Sequence, residues 1–162
     1  MRYAIFFLGA LTAICLGLAA LAADPAPGVS APPAYRPTAS DLMTAFIQPR
    51  HAKLFLAGQA GNWDLAEYER HNLSGAFSRM AVAVPKIDSA TTQDLVAAFA
   101  APPLADLQAA IKAKDGKAFE QAFDSLTAGC NGCHQTTRHG LVILQRPAAS
   151  AFPDQAFGAT AR

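Results

Sequence analysis

The sequence predicts an all-α domain, arranged as an antiparallel four-helix bundle. Three observations point there. Apolar residues recur at steps of three and four through most of positions 40–140, the spacing of one helix face. Nowhere is there a convincing two-residue alternation of the kind a half-buried strand shows. The helical stretches are joined by short polar turns, which suits antiparallel neighbours in a bundle.

The N-terminus has to be set apart first. Met1-Arg2-Tyr3 is a short basic start, and Ala4 to Leu21 run almost unbroken through apolar residues. Small residues follow at Ala19, Ala20, Ala22 and Ala23, before Asp24-Pro25. That order is a secretory signal peptide over residues 1–23, cut near Ala22 or Ala23, and implies a periplasmic protein. The alternative is an uncleaved anchor, since the apolar run approaches spanning length. The alanine-rich end and the proline beyond it favour cleavage, and Cys15 then leaves with the leader.

Charge and cysteine content become informative once the leader is removed. The full chain of 162 residues has 13 Lys plus Arg and 12 Asp plus Glu, and Arg2 is lost with the leader. The remainder is balanced and has no basic run, so it carries no footprint for nucleic acid. Only Cys130 and Cys133 remain of the cysteines.

Residues 24–37 form a Pro/Ala-rich linker, with prolines at 25, 27, 32, 33 and 37. It cannot bury a core and is stiffened toward an extended conformation. The bundle spans 38–140. Ser40 is placed to cap its first helix and Asp41 to complement the helix dipole. Pro49 should kink this helix or restart it, and Gly58 and Gly61 should end it.

Asn62 caps a second helix that runs from Trp63 to Val84, with Leu73, Phe77, Met80 and Val84 on its buried face. Residues 87–92 form a connection. A third helix runs from Asp94 to Ala113, broken at Pro102-Pro103. Asp115-Gly116 makes the turn into the last helix, whose apolar stripe is Phe119, Phe123 and Leu126. Residues 141–162, with the apolar run Leu141 to Leu144, form an extended C-terminal tail over the bundle.

The last helix also carries Cys130-Asn131-Gly132-Cys133-His134. Two thiols and an imidazole at C-x-x-C-H spacing are what covalent attachment of haem c needs: thioethers from Cys130 and Cys133, and an axial iron ligand in His134. On a helix, residues three and four apart share a face, so all three continue the Phe119–Phe123–Leu126 stripe. Gly129 and Gly132 would let the flat macrocycle approach the backbone. A disulfide is the competing use of the two cysteines. A thioredoxin-type dithiol would need a βαβ pattern that the chain lacks.

A motif at the end of the last of four helices resembles the cytochrome c-prime family, four-helix-bundle haem proteins of bacterial periplasms. Cys130, Cys133, His134 and the basic Arg138 carry the resemblance, together with Arg50 and Leu54 on the first helix. It implies Arg50 near a haem propionate and Leu54 over the iron. It also implies a possible homodimer through the first helices. Two departures stand out: Thr137 occupies a position where an aromatic is frequent, and the tail beyond Gly140 is longer than the family's.

No methionine follows His134, which excludes the ligand supply of the common small cytochrome c. His51 or Met43 as sixth ligand would suit outer-sphere electron transfer to redox partner proteins. Leu54 or Phe46 over the iron would leave the site open to small gaseous ligands such as NO and CO. Met80 belongs to the core stripe. Trp63 and Tyr68 are assigned to packing, and His71 and His139 to solvent or, for His139, the propionates. The expected function is a monohaem electron carrier; the alternatives are a gas binder and, with least support, a peroxidase-like or reductase activity.

Overall fold

A computed structural model describes residues 34–158 of the chain. The leader assigned to residues 1–23 and most of the linker lie outside the described residues. What is described is mostly helical, compatible with the all-α class, with one small two-stranded ribbon. Among these residues no single helix is long and apolar enough to cross a membrane.

The first helical run comes in three parts: α1 (Ala39–Leu42), a π-helical turn (Met43–Ile47) and α2 (Gln48–Gln59). Thr38, not Ser40, caps it. Its hydroxyl accepts from the Asp41 N–H, while the Asp41 carboxylate accepts from the Thr38 N–H, a reciprocal capping box. Pro49 lies in the first turn of α2. It has no N–H to offer four residues back, and the ladder widens just before it: the Gln48 N–H reaches the Met43 carbonyl, five residues back. The expected kink therefore takes the form of a π turn.

Gly58 does not end α2. It lies buried inside the helix, where a Cβ would come within 2.1 Å of the Phe119 ring. Gly61 (φ +66°) is the terminator. Its N–H bonds the Gly58 carbonyl and the Asn62 N–H the Ala57 carbonyl, a Schellman motif in which the left-handed residue is glycine.

Asn62 then caps α3 (Trp63–Ala83) through the Leu65 N–H. Leu73, Phe77 and Met80 are buried along it as the periodicity predicts. The connection after α3 holds the ribbon, β1 (Lys86–Ile87) against β2 (Ala90–Thr91). Two residues a side are too few to alternate visibly, so the sequence gives no sign of it. Thr91 caps α4 (Thr92–Phe99), and α5 (Ala101–Ala113) follows at a bend of 44°. Pro102 and Pro103 fall in the first turn of α5, where a missing N–H costs nothing.

Asp115 caps α6 (Gly116–Thr136). The most extensive packing is between α2 and α3 and between α5 and α6, with α3 against α5 joining the pairs. Phe119, Phe123, Leu126, Leu54, Leu73 and Leu107 are fully buried where they meet. Each such side chain contributes roughly 1.5–3 kcal/mol.

Residues 137–158 contain no regular element, yet they are pinned to the helices. The Arg146 guanidinium donates to Asp124 at 2.6 and 2.7 Å and to Glu120 at 3.2 Å, and lies over the Phe55 ring. Further on, the Asn62 amide donates to the Phe157 carbonyl, and Lys53 lies 4.5 Å above Phe152.

Candidate functional site

The last two turns of α6 form one wall of a mostly apolar cavity of about 190 Å³. Cys130, Cys133 and His134 all line it, as helical spacing requires. Met43, Thr44, Ile47 and His51 enter from the first helical run, Phe77 and Met80 from α3, and Leu95 and Phe99 from α4. His139, Val142 and Leu144 come from the returning chain.

The two cysteines are free and half-buried. Burial pushes the Cys130 thiol up to about 11 and raises Cys133 in the same direction. Both thiols are therefore protonated at neutral pH and are poor nucleophiles in the folded chain.

His134 is held by the segment that follows it. Its Nδ1 lies 2.7 Å from the Val142 carbonyl oxygen. A carbonyl can only accept, so Nδ1 carries the proton and Nε2 keeps its lone pair. A metal-binding imidazole is oriented in the same way by a partner on its other nitrogen.

The helix end produces this return. Arg138 adopts a left-handed backbone (φ 60°), its N–H meets the Gln135 carbonyl, and the His139 N–H meets the His134 carbonyl at 2.7 Å. This is again a Schellman motif, here with an arginine in the position glycine usually fills. The Arg138 side chain is exposed. His139 stands at the cavity, its ring nitrogen 3.3 Å from the Thr137 hydroxyl.

His51 is nearly fully buried, and burial lowers its pKa to about 4. Its Nε2 lies 2.9 Å from the Thr127 hydroxyl, which itself donates to the Phe123 carbonyl. With that hydroxyl proton committed, the oxygen accepts from Nε2–H, leaving Nδ1 as the basic nitrogen. The ring also packs on Phe123 at 4.5 Å. His51 thus belongs to the cavity, but the nitrogen a ligand would normally use is engaged with α6.

Arg50 lies elsewhere. It forms a 2.8 Å ion pair with the buried Glu69 of α3, which raises its pKa, and does not line the cavity. Leu54 is fully buried and is likewise absent from the cavity walls. They lie three and seven residues beyond the π turn, whose extra residue shifts the face that α2 presents. Met43 and Ile47 line the cavity instead. Phe46 is half-exposed, and Met80 serves core and cavity together.

Gly129 and Gly132 permit a close approach, but by α4. A Cβ on Gly129 would sit 2.1 Å from the Phe99 carbonyl oxygen, and one on Gly132 would sit 3.1 Å from the Phe99 ring.

Thr127, Asn131 and Val142 are the site residues that sequence reasoning passed over. Thr127 had a signal: it is the one hydroxyl in the Phe123–Leu126–Cys130 stripe, three residues before Cys130. Among the described residues no group of three or more His, Cys, Asp or Glu side chains is arranged to hold a metal ion by itself. Compared with family models, with curated proteins and with solved structures, the chain matches none.

Proposed function

We propose that this chain is an exported, periplasmic monohaem c-type cytochrome that carries single electrons, built on an antiparallel four-helix bundle. Cys130 and Cys133 would hold haem c through thioethers, and His134 would bind its iron. The residues present suit that group: two thiols on one helix face, a mostly apolar cavity, and an imidazole with its lone pair free. The observation that carries the reading is the Nδ1–Val142 bond, which reserves His134 Nε2 for a Lewis acid.

The bound group would supply the change of oxidation state; the protein's own residues set its surroundings. Phe77, Leu95 and Phe99 give the cavity an apolar wall, and the polarity around a haem governs its potential. His139, which lines the cavity, and the exposed Arg138 before it would be the basic groups to meet haem carboxylates or a redox partner. With Arg50 held by Glu69, Arg138 is the stronger arginine candidate.

One observation favours a second reading, an open sixth position that binds NO or CO. His51 Nε2 donates to Thr127, and the other walls nearby are Met43, Thr44 and Ile47. Absorption spectra separate the two. Covalent haem, tested by acid-acetone extraction of protein matured in a host with attachment machinery, supports the cytochrome reading. Complete extraction sinks it. A low-spin ferric spectrum and a ferrous spectrum that CO leaves unchanged support the carrier; a high-spin ferric spectrum and a ferrous form that takes up CO support the gas binder.

A further inference from the structure

We propose that Asn131, the first of the two residues between Cys130 and Cys133, is a positioning residue for His134, acting through the returning tail. The proposal rests on the haem reading above. Asn131 makes two hydrogen bonds to one residue of that tail: its amide donates to the Leu144 carbonyl at 2.9 Å, and the Leu144 N–H donates to its Oδ1 at 2.8 Å. This is the pairing of a strand, supplied to an irregular segment by a side chain on a helix.

The two bonds fix what lies upstream of Leu144. The chain leaves α6 through the left-handed Arg138 and tightens where the Val142 N–H meets the His139 carbonyl at 2.9 Å. It is then clamped at Leu144. Between these fixed points the Val142 carbonyl is set 2.7 Å from His134 Nδ1. Beyond the clamp, Arg146 ties the segment to Asp124.

Leu141, Val142 and Ile143 are themselves exposed, so apolar burial does not hold this stretch. Without Asn131, the carbonyl would be held only through the His139 turn before it and Arg146 beyond it. A hydrogen bond on Nδ1 fixes the ring plane and tautomer and makes the other nitrogen a stronger donor, which stabilises the oxidised metal.

The test compares wild type with Asn131→Ala and Asn131→Asp, the latter keeping the acceptor and losing the donor. Ring ¹⁵N shifts of His134 in haem-free protein report the tautomer. We expect Nδ1–H in wild type and a mixture with Nε2–H in Asn131→Ala. In haem-loaded protein the reduction potential should move positive in Asn131→Ala, with Asn131→Asp between. An Asn131→Ala protein of native helicity with unchanged tautomer and potential overturns the proposal. Should it fail to fold, Arg146→Ala, which loosens the same tail further along, decides by the same two readouts. If wild type carries no covalent haem, the haem reading falls, while the ¹⁵N shifts still decide whether Asn131 governs His134.

Discussion

His51 on α2 and Thr127 on α6 are joined by a 2.9 Å hydrogen bond in the buried core, directed from Nε2–H to the hydroxyl oxygen. Burial keeps His51 neutral, its pKa lowered from 6.5 to about 4. On acidification the unfolded chain therefore takes up this proton first. Native stability should fall as pH drops from 6.5 to 4 and change no further on this account below 4. At roughly 1.4 kcal/mol per pH unit the loss is about 3 kcal/mol. His51→Gln keeps a donor for Thr127 and cannot titrate. Urea denaturation at pH 7 and pH 4 should show a smaller difference for the variant; an equal difference refutes the assignment.

Gly129→Ala would drive a Cβ into the Phe99 carbonyl oxygen, and backbone cannot swing aside as a side chain can. It should cost about 1–3 kcal/mol in denaturant unfolding despite the better helix propensity of alanine. Gly132→Ala meets only the Phe99 ring and should cost less. Equal, small effects would show that α4 does not press on α6 at this turn.

Arg138 pays the steric penalty of a left-handed residue with a Cβ. Arg138→Gly should stabilise the fold by about 1 kcal/mol, read as a higher urea midpoint. A lower midpoint would mean that the side chain contributes more than the backbone loses.

Arg50→Ala would leave the buried Glu69 carboxylate without its partner. Arg50 is itself about one-third exposed, so the expected cost is about 2 kcal/mol, below the range for fully buried pairs. On the proposed haem reading, the absorption spectrum should stay as in wild type. A changed spectrum with unchanged stability would return Arg50 to the propionates.

Much of this was legible because it is local. The helix phases, the Asn62 cap, the break before Pro102 and the shared face of Cys130, Cys133 and His134 follow from spacing and cap chemistry alone. What escaped was long-range or depended on one residue of phase. The π turn before Pro49 rotates α2, so Met43 and His51 reach the cavity while Arg50 and Leu54 do not. Phe119 over Gly58 and Phe99 over Gly129 are meetings of distant segments, and no local pattern announces which neighbour a glycine is making room for. The return of Val142 onto His134 depends on an arginine in a backbone conformation that sequence alone assigns to glycine.

The tail also bears on timing. The two best-packed helix pairs, α2 with α3 and α5 with α6, are neighbours along the chain and close quickly. The tail also bridges a far longer interval, from Phe157 back to Asn62, and docks onto the helices. There is then an interval in which α6 exists but Val142 and Leu144 have yet to cover its end. During that interval Cys130 and Cys133 are more accessible and more readily ionised than in the finished fold. On the proposed haem reading, attachment at these thiols would thus compete with arrival of the segment that lines the same cavity.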